Sequence, residues 1–147
     1  MILEAVYLVP AAVWTGSMTY SLVVVQPRSA RFLTDDDQLE EYLTVLAQGN
    51  RSRVLGIAAT LIVSAAALAL LCPWPGARAV YSTALGLDLA ATAVFWYVSW
   101  RHWPARVFAR RAERPALRRR LLLCARAIWL LVGAGFGLTL VASVGLR

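Results

Sequence analysis

Four apolar blocks, at residues 5–25, 54–72, 79–100 and 121–146, are separated by stretches that carry nearly all of the charge in this chain. Each block comes close to the ~20 residues a helix needs to cross the hydrocarbon core of a bilayer. In hydrocarbon every backbone N–H and C=O must find its partner within the segment, so blocks of this length predict helices rather than irregular chain. The expected fold is all-α, a four-transmembrane-helix bundle forming a single integral membrane domain over residues 1–147. The first block opens with Glu4 instead of a basic run, and no cleavage site followed by a polar domain comes after it. It reads as a retained helix and not as a signal peptide.

Between the first two blocks, Thr34 is followed by Asp35, Asp36 and Asp37, a cap residue and negative charge of the kind that favours a helix N-terminus. Leu39, Tyr42, Leu43 and Leu46 then recur at helical spacing. This predicts a short amphipathic cytoplasmic helix between helices 1 and 2, ending near Gly49-Asn50. The stretch after the third block is arginine-rich, with Pro104 and Pro115 as breaks.

Composition sharpens the class. Of 147 residues, 60% are hydrophobic and 16% charged, which excludes an ordinary soluble enzyme. All fifteen basic residues are arginine, and with the weight of Ala and Leu this suggests a GC-rich bacterial genome. Twelve arginines fall in the loops after the first and third blocks, against Arg78 and Arg147 on the other side. The positive-inside rule then places both termini outside a bacterial cytoplasmic membrane. The charge of +7 reflects topology and attraction to membrane lipids, and no nucleic-acid reading module is present. One histidine and two cysteines are too few for a multi-ligand zinc, iron–sulfur or bis-histidine haem site, so no metal is expected. Cys72 and Cys124 fall at opposite ends of the bundle and read as small packing residues.

Ionisable groups inside spans are costly, and each is a functional candidate. Asp88 lies roughly 12 Å into the third block at 1.5 Å per residue, on a stripe with Leu85, Thr92, Trp96 and Ser99. It reads either as a helix-to-helix hydrogen-bonding group or as a catalytic acid or base. Arg126, near the start of the fourth block, either snorkels to lipid phosphates or points inward on the face shared with Leu130, Gly133 and Gly137. Gly133 and Gly137 form a small-xxx-small seam suited to close helix approach, including a homodimer. Tyr7, Trp14 and Ser21 share one face of the first block, with Glu4 a turn before and Pro10 expected to kink the helix. His102, between Arg101 and Trp103, reads as interfacial.

The Gly in helix 1, Ser21 and its valine run, Pro27 at the helix exit, the acidic amphipathic loop, Gly49-Asn50-Arg51, and Arg126 within Cys124-Ala125-Arg126-Ala127 together resemble the anthrone oxygenase-like family of small four-helix membrane proteins. The resemblance implies a cofactor-independent monooxygenase acting on a hydrophobic polycyclic aromatic metabolite. An anthrone methylene is acidic, so a base and an oxyanion stabiliser suffice to expose a carbanion to oxygen. Carried onto this chain, Asp88 would be the base, Arg126 and Asn50 the stabilisers, and Tyr7, Trp14, Ser21, Thr92, Trp96 and Trp129 the substrate-binding side chains. Val13-Trp14-Thr15-Gly16 is also similar to the first span of copper-resistance D-like and small protoporphyrinogen-oxidase-type proteins. Those carry a histidine where Tyr7 stands here, so a copper or haem ligand set is not implied. The alternative to an enzyme is a non-catalytic membrane subunit or scaffold packing against a larger partner. The enzyme predicts an inner pocket where Asp88, Arg126 and tryptophans converge, and the subunit predicts none.

Overall fold

A computed structural model describes residues 2–145, with Gln48 described by its backbone alone. Leu146 and Arg147, the latter counted above with the sparsely charged side, lie outside the described residues. Four long helices follow in order: α1 (Ile2–Phe32), α2 (Asp36–Leu71), α3 (Pro75–Val107) and α4 (Arg111–Gly145), all long and apolar enough to cross a membrane. Among the described residues there is no strand. The protein is a multi-pass membrane bundle.

Each helix outruns its apolar block. The 36 residues of α2 extend about 54 Å at 1.5 Å per residue, against a hydrocarbon core of about 30 Å. The surplus lies at the arginine-rich end, and it corrects one expectation: no separate amphipathic helix exists. Residues 36–48 are the opening turns of α2, which runs unbroken through Gly49 and Asn50 to Leu71. No described glycine takes a positive φ, so Gly49 ends nothing and acts as an ordinary helical residue. The cap is also one residue later than Thr34. Asp35 stands in extended conformation and accepts from the backbone N–H of Asp37 at 3.0 Å.

Prolines shape α1 and α3. Single π turns at Ser21–Val25 and Val98–His102 precede Pro27 and Pro104. A proline has no N–H and its ring clashes with the carbonyl four residues back; widening the turn by one residue relieves that clash. The N–H of Gln26 accordingly reaches back to Ser21 O, and that of Trp103 to Val98 O.

The helices form a ring in which α1 and α3 each pack against α2 and α4. The core is rich in small residues, among them Ala11, Ala58, Ala65, Ala84, Ala91 and Ala142, around the larger Tyr7, Trp14, Leu61, Ile128 and Val132. In a membrane bundle small side chains let backbones approach and gain van der Waals contact. α1 and α3 stand on one diagonal of the ring and α2 and α4 on the other. Polar side chains cross both diagonals, at different depths.

Candidate functional site

The first crossing joins α1 to α3 within the apolar zone. Tyr7, on the buried stripe with Ala11 and Trp14, donates its phenol hydrogen to Asp88 Oδ2 at 2.9 Å. Tyr81, two turns before Asp88 on α3, donates to Glu4 Oε1 at 3.2 Å. Each helix thus supplies one carboxyl and one phenol, and the pairs are reciprocal. Tyr7 and Asp88 are 0% and 1% exposed. Thr139 of α4 is fully buried beside Tyr7, and its hydroxyl has no hydrogen-bond partner among the described residues. Asp88 Oδ1 has no hydrogen-bond partner.

Gly135 closes this cluster from α4. A Cβ there would meet the Tyr7 hydroxyl at 3.1 Å, Asp88 Oδ1 at 3.5 Å and the Ala84 carbonyl oxygen at 3.8 Å. Close approach favours glycine here, since a Cβ would need the Tyr7 hydroxyl to shift by a few tenths of an ångström, and the free oxygen of Asp88 lies beside the α4 backbone.

The second crossing lies at the arginine-rich end. Asp36, Asp37 and Glu40 of α2 receive Arg111, Arg114 and Arg118 of α4 and Arg106 of α3. Arg106 binds Glu40 through two bonds, Nε to Oε2 at 2.6 Å and Nη2 to Oε1 at 2.9 Å, and Arg118 Nε reaches the same Oε1 at 2.7 Å. These groups lie beyond the apolar blocks. Hydrogen bonds from Arg118 and Arg114 hold the Asp36 carboxyl below the usual carboxylate range, and those from Arg114 and Arg111 do the same for Asp37. Burial pushes Glu40 up, but its bonds to Arg106 and Arg118 outweigh that, and the net shift is downward.

Between the two crossings the α3 π turn leaves a carbonyl without a helical partner. Ser99 O would accept from residue 103 in an α-helix, but Trp103 N–H is taken by Val98 O, and residue 104 is proline. Arg51 of α2 supplies the missing donor through Nη2. Its guanidinium also lies 4.2 Å from the Trp100 ring centroid, and Trp100 stacks on Trp96 with centroids 3.9 Å apart. Arg51, in the Gly49-Asn50-Arg51 run, therefore completes a proline-induced gap in a neighbouring helix.

The sequence-predicted residues separate into groups. Tyr7, Asp88 and Trp14 are buried, with Tyr7 and Asp88 directly bonded. Thr92 returns its hydroxyl to the Asp88 backbone carbonyl at 2.7 Å. Ser21 is half-buried within the α1 π turn. Trp96 is 54% exposed on the Trp100 stack, and Trp129 donates to the Thr19 hydroxyl at 2.8 Å on an exposed face. Asn50 and Arg126 are exposed. The inward orientation of Arg126 is thus corrected: the buried face of α4 runs through Ile128, Val132, Gly135, Thr139 and Ala142, and residue 126 lies off it. His102, at the arginine-rich end of the third apolar block, is only 3% exposed, on the stripe with Val98 and Ser99. In the expected seam, a Cβ on Gly133 would lie 3.6 Å from Thr15 of α1, whereas one on Gly137 would meet nothing within 4 Å.

Two of the hollows on the bundle bear on the site. One of about 360 Å³ is lined by residues including Leu3, Val6, Thr60 and Ser64, and one of about 580 Å³ lies between Arg28 and Tyr42. Neither includes Asp88. Among the described residues no three His, Cys, Asp or Glu side chains gather as metal ligands would.

No family model, curated protein or solved structure matches this chain. The chemistry of the site has to be argued from its own groups. Four of those escaped sequence reasoning: Tyr81, Gly135, Thr139 and the Glu40–Arg106 pair. Tyr81 was detectable, because it stands seven residues before Asp88 and so on the same helix face.

Proposed function

We propose that this protein is a non-catalytic integral membrane module, a subunit or scaffold of the bacterial cytoplasmic membrane with both termini outside and its arginine-rich end in the cytoplasm. The enclosure of Asp88 carries this reading. An acid–base enzyme needs a hollow at its base with a few fixed polar groups converging on it. Here Tyr7 and Gly135 fill the space around the carboxyl, and the cation that would stabilise an oxyanion, Arg126, is exposed elsewhere. The acid acts as a strut between diagonal helices. The cross-braced arginine-rich end, reaching past the bilayer, is the surface offered to a larger partner. Gly137, open where Gly133 is covered, remains available for close approach by a second copy.

A second reading is favoured by one specific observation, the unpartnered Oδ1 of Asp88. With Oδ2 held by Tyr7, that oxygen is positioned to take a proton. In an anthrone oxygenase-like reaction it would accept one methylene proton from a hydrophobic polycyclic aromatic substrate. The carbanion would then react with dioxygen, leaving one oxygen atom in the new carbonyl and the other in water. No cofactor enters this scheme. Tyr7 would replace Arg126 as hydrogen-bond donor to the oxyanion, and α4 would have to move at Gly135 to admit substrate.

Oxygen uptake by the purified, detergent-solubilised protein with an anthrone, compared with Asp88→Asn, separates the two. The module predicts no uptake above the substrate's own autoxidation. Protein-dependent uptake that disappears in a folded Asp88→Asn variant would overturn it in favour of the oxygenase.

A further inference from the structure

The larger hollow lies where α1 gives way to α2, and its lining combines two cations, two hydroxyls and an apolar wall: Arg28, Arg31, Ser29, Tyr42, Phe32 and Leu33. Its volume of about 580 Å³ falls within the ~300–1,000 Å³ of small-molecule sites. Its depth is fixed by the chain. The first apolar block ends at residue 25, so Arg28 lies about 4.5 Å further along the helix, at 1.5 Å per residue, where lipid headgroups sit.

The charge in this hollow is uncompensated. Asp36 and Asp37 are bound by arginines of α4, and Asp35 accepts from the Asp37 backbone. None of the three lines the hollow, and neither Arg28 nor Arg31 forms an ion pair among the described residues. The four acid-bound arginines near this end thus contrast with two that face an open cavity. Arg28 and Arg31 are three residues apart and share a helix face, and guanidinium groups suit the non-bridging oxygens of a phosphate. Phe32, 88% exposed, and Leu33 offer an apolar surface beside them. A free anion has no use for that wall, whereas the glycerol and upper acyl carbons of a phospholipid do.

We propose that this hollow binds the headgroup of an anionic phospholipid from the leaflet at the arginine-rich end, with Arg28, Arg31, Ser29 and Tyr42 holding the phosphate and Phe32 and Leu33 packing its glycerol region. The proposal is independent of whether the bundle is catalytic.

The test is native mass spectrometry of the full chain in detergent, titrated separately with phosphatidylglycerol and phosphatidylcholine of matched acyl chains. The wild-type protein is expected to prefer phosphatidylglycerol. Each arginine near an anionic headgroup contributes about five-fold in binding, so Arg28→Gln/Arg31→Gln should lower that preference by roughly 30-fold and each single variant by about five-fold. All four side chains involved in the comparison are exposed, and Arg53→Gln/Arg101→Gln, an equal loss of charge at the same end, should leave the preference unchanged. Equal binding of both lipids, or an equal loss in the control pair, would overturn a localised site. Displacement of phosphatidylglycerol by millimolar inorganic phosphate, with phosphate binding lost in the Arg28/Arg31 variant, would overturn the lipid assignment in favour of a free anion.

Discussion

Replacing Tyr7 by Phe removes one hydroxyl and leaves the ring in place, so it tests the diagonal strut with little change in packing. Asp88 accepts from Tyr7 through Oδ2 and has nothing on Oδ1; the variant would leave both oxygens of a 1% exposed carboxyl without a partner. In a water-soluble core, stranding a buried polar group costs about 1–3 kcal/mol. Within a bilayer the unfolded chain also finds internal partners, and measured interhelical coupling is smaller, about 0.6 kcal/mol on average and up to about 1.7. The near-complete burial of Asp88, 1% exposed beside Gly135, excludes water as a substitute, which places the expected coupling at the upper end, about 1–2 kcal/mol. The assay is a double-mutant cycle of Tyr7→Phe and Asp88→Ala, read by reversible unfolding in mixed micelles. The Tyr7→Phe loss should shrink by the coupling when Asp88 is absent. A coupling within about 0.3 kcal/mol of zero, the scatter expected for independent sites, would refute the strut.

Other outcomes follow from the same contacts. Gly135→Ala puts a methyl 3.1 Å from the Tyr7 hydroxyl and should destabilise by about 1–3 kcal/mol, while Gly137→Ala, in open space, should be neutral or mildly stabilising, both read in the same unfolding assay. Arg51→Gln shortens the donor that completes the Ser99 carbonyl and should cost about 1–3 kcal/mol, with faster amide exchange around residues 98–104 by mass spectrometry. Glu40→Gln strips the charge facing the buried Arg106 and should cost about 3–5 kcal/mol; an unchanged unfolding midpoint would show that the clamp is not a stabilising unit. Asp36 and Asp37 titrate below the usual carboxylate range in the folded protein, so unfolding binds protons there. Their contribution is complete above about pH 4, the unfolded-state value, and is lost as pH falls through the lower folded values. An acid titration of micellar unfolding should therefore show stability declining below about pH 4.

The span count was legible because a bilayer imposes length and apolarity on every helix, and both are visible in the sequence. The end of a helix outside the bilayer is not constrained in this way. Gly49-Asn50 resembles a stop signal, but Asp36, Asp37 and Glu40 are held by arginines 66 to 82 residues away, and that pairing keeps residues 36–53 helical and continuous with the span. Local propensity was outweighed by tertiary ion pairing. The inward face of α4 was misassigned for a related reason. Gly133 and Gly137 stand four apart and match a familiar motif, yet the glycine that close approach favours is Gly135, identified only by the phenol and carboxyl set against it. Asp88 was legible as costly, whereas the partner that meets the cost stands 81 residues away.

These misreadings share a physical origin in the geometry of a four-helix ring. Neighbouring helices are held mainly by apolar contact, which constrains rotation weakly because lipid is as apolar as the core, with Arg51–Ser99, Arg106–Glu40 and Trp129–Thr19 as the polar bonds between neighbours. Helices on a diagonal touch little, so hydrogen bonds that cross the centre fix rotation instead. Tyr7–Asp88 and Tyr81–Glu4 fix α1 against α3 within the apolar zone; Arg114 and Arg118 with Asp36 and Asp37 fix α2 against α4 at the charged end. A ring braced on one diagonal alone could still shear along the other. With both braced, at different depths, sliding any helix by one turn breaks at least one buried or charge-assisted bond. That is a device for a fixed shape, and it is why Asp88 is explained more economically as a strut than as a base awaiting substrate.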